Sequence, residues 1–465
     1  MHDEETQTRS GREEGVPHRN HGTGADSSAG SFVRDSGAAS DRRVERRVSP
    51  LAFVITDLAY FLAGLITSPL WFIRMWWTGK LRTDWKARFG EGVIHPRTER
   101  PRVLIHGVSV GEVNAVRGLV ARLAKDRLRP EIFVSSTTDT GFKRAESLFS
   151  KSHQVVRTPF DFTFSMRHWL DRVQPDVIVL VELELWPNMT RLAEMRGIPV
   201  VVVNGRLSDR SIRRYRRVER FVRGMFERAT IVLAQNRASA DRFAELGAPE
   251  VLVTGNMKWD SVEIEDEVPG SSQLREELGV PRGAPLIVAG STEPGEEVLL
   301  RDALPDGARL LIAPRKPEWF DGVCANLPGF VRRSRKEKGN PDTRYFVLDT
   351  IGELRMAYAL ADVVVMGRSF GKLYGSDPIE PASLGKPVVI GPRVADFRDV
   401  VESFVKHGGI VQVDASALKA TLAELVADPR KRAEIAFRGR ETIRREQGGT
   451  SRTSEVLLAL LATRA

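Results

Sequence analysis

From residue 101 onward the chain alternates short aliphatic runs with stretches in which apolar side chains recur every three or four positions. The runs are Val103 to Ile105, Ile132 to Ser135, Val177 to Val181, Val200 to Val203, Ile231 to Ala234 and Val251 to Thr254. Segments this short, rich in valine and isoleucine and bounded by turn residues, read as strands buried on both faces. Between them lie helical patterns such as Val113 to Lys125 and Pro187 to Arg196. A polar stretch, Glu263 to Ser272, interrupts the series. It restarts with Leu286 to Ala289, Arg309 to Ala313, Tyr345 to Leu348, Val363 to Met366, Pro387 to Ile390 and Ile410 to Val413. This α/β alternation predicts two doubly wound, Rossmann-like domains facing a cleft, over residues 79–262 and 275–465, joined by a linker at 263–274. The last helix is free to pack back on the first domain.

The first 100 residues follow a different pattern. Residues 1–50 carry hardly a large apolar side chain and end in Arg42, Arg43, Arg46 and Arg47, so they read as a disordered tail. Residues 51–78 open with LAFVITDLAYFLAGLITSPLWFI, apolar apart from Asp57 and a few small hydroxyls. A bilayer core needs about 20 helical residues, and Trp71, Trp76 and Trp77 beside Arg74, Lys80 and Arg82 form a belt with a cytoplasmic-type basic flank. The segment predicts a membrane-anchor helix, spanning the bilayer or lying in its interface; Asp57 and Pro69 weaken a simple span. A core helix is the plain alternative. The run starts too far from Met1 and lacks the cleavage site of a signal peptide.

With 465 residues, 42% of them hydrophobic, the chain is long enough for two or three folded domains. Its one cysteine, Cys324, excludes an intramolecular disulfide and a zinc site built on paired cysteines. A net charge of +9 favours an anionic partner. No RNA-binding aromatic signature or finger spacing is present, which leaves a membrane surface or a phosphorylated substrate and speaks against nucleic acid.

Candidate chemistry lies where strands end. HGVSVGE, residues 106–112, places Glu112 at a strand-to-helix turn; it either complements the helix dipole or is a reactive carboxylate at the sheet rim. VELELWPN, residues 181–188, puts Glu182 and Glu184 directly after an all-apolar strand, and capping of the helix that starts at Pro187 is their plain role. Two acidic rims in one half suit acid–base work. Residues 204–223 carry Arg206, Arg210, Arg213, Arg214, Arg216, Arg217, Arg220 and Arg223, too many for the nearby carboxylates to neutralise, which suits a phosphorylated lipid headgroup. In the second half, AGSTEPGEE (289–297) reads as a phosphate-binding turn. LIAPRKPEW (311–319) sets Arg315 and Lys316 just past a strand. The glycine-rich segment 367–392 leads to Asp377-Pro378-Ile379-Glu380, where a buried Glu380 near a helix start can accept hydrogen bonds from ribose hydroxyls.

Taken in order, the apolar anchor, the RFG segment over Lys80 to Gly90, SVGE, ELELWPN, NGRLSDRS, TGNMKWD, GSTxxGEE, APRxPE, IGEL and DPIEPASLGKP resemble the 3-deoxy-D-manno-octulosonic acid (Kdo) transferases of lipopolysaccharide biosynthesis, from about residue 51 to the C-terminus. The resemblance implies a GT-B fold, an inverting transfer of Kdo from CMP-Kdo to a phosphorylated lipid A precursor, no metal and no cofactor. It implies a place at the inner membrane, with the catalytic domains on its cytoplasmic face. Carried over by position, Glu112 is the general base, and Glu184 and Lys258 stabilise the transition state. Pro314 and Arg315, then Ile351, Gly352 and Glu353, then Asp377, Pro378, Ile379 and Glu380 hold CMP.

The chain departs from the family pattern at three histidines, where it has Glu293, Lys316 and the segment Gly375-Ser376-Asp377; Asp377 replaces a neutral amide, and Lys316 is a candidate to compensate it. A GT-B enzyme with a different nucleotide sugar is one alternative reading. A catalytically silent membrane scaffold that binds anionic lipid is another.

Overall fold

The computed structural model describes residues 49–77 and 84–463. Nearly all of the tail, with its arginine cluster, and the segment holding Lys80 and Arg82 lie outside the described residues.

Among the described residues, the alternation folds into two seven-stranded parallel sheets. The first comprises β1 (Arg102–His106), β2 (Glu131–Ser136), β3 (Gln154–Arg157), β4 (Val177–Val181), β5 (Val200–Gly205), β6 (Ile231–Ala234) and β7 (Val251–Val253), in the order β3-β2-β1-β4-β5-β6-β7. The second comprises β8 (Leu286–Thr292), β9 (Arg309–Pro314), β10 (Val331–Arg332), β11 (Tyr345–Val347), β12 (Val363–Met366), β13 (Val388–Ile390) and β14 (Val411–Gln412), in the order β10-β11-β9-β8-β12-β13-β14. In each sheet the order reverses beside the first strand, at β1/β4 and at β8/β12, which opens a crevice at the carboxyl ends of those strands.

Every apolar run read from the sequence is a strand. The pattern misses β3 and β10, which are short edge strands needing no continuous apolar run. The helix expected over Val113 to Lys125 is two helices, Val110–Ala115 and Arg117–Lys125, separated at buried Val116.

The chain crosses between the two sheets more than once. Met257 packs in the core of the first sheet and Trp259 in that of the second, edge-on to Phe404 at 5.0 Å. The polar linker is pinned to the second half by Glu265–Arg355 at 2.8 Å and Asp266–Arg440 at 2.7 Å. The final helix, Gly449–Ala462, returns to the first sheet, where Leu457 and Leu461 are fully buried with Val103 and Leu119.

Residues Pro50–Trp77 form one helix, α1. The Pro69 ring leaves the Leu65 carbonyl without its usual N–H donor, and the Ser68 hydroxyl donates to that carbonyl at 2.8 Å. Asp57 does not disrupt α1 but docks it: one carboxylate oxygen accepts from the Asn188 side-chain amide at 2.9 Å and from the Thr163 N–H at 3.0 Å. Tyr60 donates to Asp161, and Arg191 donates to Thr56.

A core role for the last helix makes a stability prediction. Leu461→Ala should cost about 2–5 kcal/mol in urea denaturation, as for a core leucine of the first sheet. A loss below about 1 kcal/mol would place that helix outside the core.

Candidate active site

The turn after β1 determines where Glu112 sits. Ser109 caps the helix Val110–Ala115, its Oγ accepting from the Glu112 N–H at 3.3 Å. The Glu112 carboxylate folds back to accept from the Ser109 hydroxyl and the Val108 N–H, each at 2.8 Å. This is a close relative of the capping box, so the helix-capping role is real. It does not complete the description, because Glu112 is buried and burial raises its pKa above the ordinary carboxylate value, with the Glu182 charge adding to the shift. The ring of contacts that fixes the rotamer also holds a basic carboxylate in place. At Gly111 a side chain would meet only Ser109 Oγ at 3.7 Å, so the backbone there is open to approach.

The second acidic rim follows β4. Glu182 takes a left-handed backbone conformation (φ +62°), costly for a long side chain by about 1–3 kcal/mol. Asn204, Ser291 and Arg368 share that strain at the carboxyl ends of β5 and β8 and just past β12. Strained residues thus collect along the rims of both sheets. Glu184 accepts from the Trp186 indole N–H at 3.1 Å. Burial, then the Glu112 and Glu182 charges, push the Glu184 pKa up to about 7. The structure therefore brings Glu112, Glu182 and Glu184 into one electrostatic group.

Lys258 supplies the cation. It sits between Met257 and Trp259, whose side chains are anchored in different cores, and Asn204 and Asn256 accept the N–H groups of Met257 and Lys258 at 3.0 Å. Its ammonium lies 3.8 Å from Glu182 and 5.8 Å from the centre of the Phe397 ring. The same ammonium opposes the upward shift that burial imposes on Asp377. Lys258 thus links the acidic rim of the first half to Asp377 of the second. Arg206, 3.5 Å from Asp399, adds another contact between the halves.

The residues expected to hold CMP are partly gathered. Arg315, Asp377 and Glu380 surround the buried Tyr358 hydroxyl closely enough to influence its ionisation, and burial raises the pKa of Glu380. Arg355 approaches Glu380 at 3.6 Å. Pro314 is buried at the end of β9, and Pro378 and Ile379 are buried where the helix Ile379–Ser383 begins. Ile351 is 86% exposed, Gly352 has φ +99°, and the Glu353 carboxylate is held by Arg333 at 2.8 Å. The Glu353 side chain is therefore committed to Arg333, and its neighbours Ile351 and Gly352 are what this loop presents.

Two expectations are corrected. The turn AGSTEPGEE does not present its N–H groups to an external anion: Glu296 accepts from the N–H groups of Glu293, Arg368, Ser369 and Phe370, and Glu297 from that of Gly295. Carboxylates already occupy the anion positions and tie the glycine-rich loop to the sheet. Lys316 does not compensate Asp377; it pairs with Glu318 at 3.5 Å and lies over the Trp319 ring, and the cation acting on Asp377 is Lys258. Glu293, another of the departures, accepts from the Leu373 N–H.

Of the arginines, Arg216 pairs with Glu245 and Arg223 with Glu219 and Glu227. Arg210, Arg213, Arg214, Arg217 and Arg220 are exposed, with no ion-pair partner among the described residues. Tyr215, on the same helix Asp209–Arg217, has its phenol pKa raised by burial and by the Glu184 charge, so the arginine surface adjoins the acidic rim. From the sequence, Glu182 had only a place beside Glu184 in the acidic rim, and Asn204 and Tyr358 had no role. Glu182 lay inside a quoted motif, but its backbone strain has no sequence signal. Asn204 and Tyr358 act through contacts distant in sequence.

Comparison with known proteins places this geometry. Residues 83–261 match a family model described as 3-deoxy-D-manno-octulosonic-acid transferase (kdotransferase). The 3-deoxy-D-manno-octulosonic acid transferase of Haemophilus influenzae is 31% identical over 369 residues, covering 76% of this chain and 86% of that protein. That of Bordetella pertussis is 30% identical over 427 residues, covering 86% and 98%. Among solved structures, a glycosyltransferase from Rickettsia africae has a TM-score of 0.55 at 12% identity, covering 78% of this chain and 99% of that one. Anabaena HepE in complex with UDP has a TM-score of 0.53 at 17% identity, covering 77% and 100%. These two structures share the fold.

Electrostatic coupling at the rim can be measured. Removing the Glu112 charge in Glu112→Gln should lower the Glu184 pKa from about 7 toward the usual carboxylate range. The probe is the pH titration of Trp186 emission, isolated by difference against Trp186→Phe. An unchanged midpoint would show that the two carboxylates do not sense each other.

Proposed function

The chain belongs to the Kdo transferase family, and from that premise we propose how its cleft carries out the reaction. It is a glycosyltransferase that transfers Kdo in lipopolysaccharide biosynthesis. We take the donor to be CMP-Kdo, seated on the second half, and the acceptor to be a sugar hydroxyl of a phosphorylated lipid A precursor, presented to Glu112. The observation that carries this reading is the grouping of Glu112, Glu182 and Glu184, with Lys258, which lies between the two cores, 3.8 Å from Glu182.

In this mechanism Glu112 removes the acceptor proton as the acceptor oxygen attacks the anomeric carbon of Kdo from the face opposite CMP. The carbon–oxygen bond to CMP breaks, and its electron pair leaves with the phosphate, which inverts the configuration. Burial and the Glu112 charge keep Glu184 protonated up to about neutral pH, so it donates a hydrogen bond while Glu112 accepts the proton. Lys258 and Arg315 face the charge that develops on the departing phosphate, a role that needs no metal or cofactor. Glu380 accepts from the ribose hydroxyls, with Pro314, Ile351, Gly352, Glu353, Asp377, Pro378 and Ile379 around the nucleotide. Closure of the halves about Met257-Lys258-Trp259 excludes water from the donor. The unpaired arginines beside Tyr215 receive the acceptor phosphates.

The enzyme works, on this reading, at the cytoplasmic face of the inner membrane, with α1 lying in the membrane interface rather than crossing it. The helix is apolar and long enough to cross a membrane. Its less exposed positions, however, recur from Phe53 through Thr56, Asp57, Tyr60, Gly64, Ser68 and Trp71 to Met75, all on one face. At 1.5 Å per residue that stripe runs about 33 Å alongside the domain, which matches the roughly 30 Å of a bilayer core and leaves no separate segment to span it. The opposite face exposes Ile66, Leu70, Trp76 and Trp77, each more than 70% accessible, as a surface for lipid.

Two outcomes follow. Glu112→Gln should lower kcat for transfer by about 10²–10⁴-fold while the Kd for CMP stays within twofold; wild-type turnover in that variant would remove Glu112 as the base. For α1, the one native cysteine, Cys324, is buried, so Ser49→Cys supplies a single accessible thiol. A membrane-impermeant maleimide should label it in inside-out vesicles; labelling only from the opposite side would mean that α1 crosses the bilayer.

A further inference from the structure

A groove of about 820 Å³ runs between α1 and the first half, and the chemistry of transfer makes no use of it. Phe61, Gly64 and Leu65 of α1 form one wall, and Phe89, Phe160 and Trp186 stand opposite. We propose that this groove holds a fatty-acyl chain of the lipid acceptor, an assignment that rests on the transferase reading above.

The lining is apolar in effect as well as in composition. Its charged groups are already engaged: Arg88 pairs with Asp139 at 2.9 Å, and Asp161 accepts from the N–H groups of Asn188 and Met189 and from Tyr60. A peptide entering here would find few open partners for its backbone, whereas a hydrocarbon chain needs none. Gly64 points the same way. Glycine inside a helix costs about 0.5–1 kcal/mol relative to alanine, and a close neighbour usually explains it. Here nothing lies within 4 Å of the position a Cβ would take, so packing does not require the glycine; it keeps the groove open.

The two sides of the groove tie it to a lipid substrate. Trp186 lines it and donates to Glu184, which places one part of the groove against the catalytic carboxylates. Phe61 and Leu65 line it and are also 60% exposed on the apolar surface of α1, which places another part at the lipid-facing side. A chain seated between these walls would hold its headgroup near the carboxylate cluster. Acyl recognition would then position the acceptor hydroxyl as well as add affinity.

The test fills the groove. Gly64→Phe projects a ring into the open space, and replacing a helical glycine does not of itself strain the fold. Transfer from CMP-Kdo is followed with tetra-acylated lipid A precursor, with analogues of shorter acyl chains, and with the fully deacylated disaccharide, all in the same mixed micelles. The wild-type protein should lose kcat/KM stepwise as methylenes are removed from the groove, by less than the about fourfold per methylene of transfer from water because the chains start in micelle hydrocarbon. Gly64→Phe should flatten that dependence and lower the preference for acylated over deacylated acceptor at least tenfold. The same chain-length dependence in both proteins would overturn the groove and leave the transferase reading intact. No transfer by wild type to any of these acceptors would overturn both. Should Gly64→Phe unfold, a wild-type kcat/KM independent of acyl length overturns the proposal, and the stepwise fall supports it.

Discussion

Three carboxylates stand at the carboxyl edge of the first sheet, and the residues around them do not neutralise their charge. Glu112 is held by its helix cap, Glu182 by a strained backbone and Glu184 by the Trp186 indole, and Lys258 meets only Glu182 within ion-pair distance. Burial and, after it, mutual repulsion raise the pKa of two of them, and relief by a cation is restricted by where Lys258 can stand. That position is itself dictated by packing, since Met257 and Trp259 belong to separate cores. The charge state of the cleft and the packed link between the halves are therefore one constraint seen from two sides.

Much of this was legible in the sequence because parallel strands buried on both faces leave unmistakable aliphatic runs. Val177 to Val181 and Ile231 to Ala234 needed no tertiary information, whereas β3, with an exposed Gln154 at its start, carries no such run. The motif order located the carboxylates and Lys258. It did not show that Glu296 and Glu297 would occupy their own turn, because carboxylates opening a helix read the same whether they leave backbone N–H groups free or cap them. Nor could it tell that Lys316 faces Trp319 while Lys258 reaches across to Asp377. Those facts depend on side-chain direction and on contacts between the halves, which a linear pattern does not encode.

The helix α1 shows the same limit in another form. Asp57 and Pro69 look like defects in an apolar span, yet Asp57 joins the helix to Asn188 and Thr163, and Ser68 covers the carbonyl that Pro69 leaves open. Polar residues that would be costly in hydrocarbon are placed on the docked face, and the large apolar side chains are left outward. A helix built this way brings an exposed apolar surface, the groove beside Trp186 and the acidic rim into one continuous arrangement.

The central claim is that the coupled carboxylates of the first half divide the work near neutral pH, Glu112 as the base and Glu184 as a protonated donor. The most direct measurement is the pH dependence of kcat/KM for Kdo transfer with saturating CMP-Kdo. With Glu184 needed in its protonated form and Glu112 in its ionised form, the rate should reach a maximum and then fall along a limb near pH 7 as Glu184 loses its proton. A rate that stays flat between about pH 5.5 and 8.5 would contradict the account, because loss of the Glu184 proton would then leave transfer unaffected.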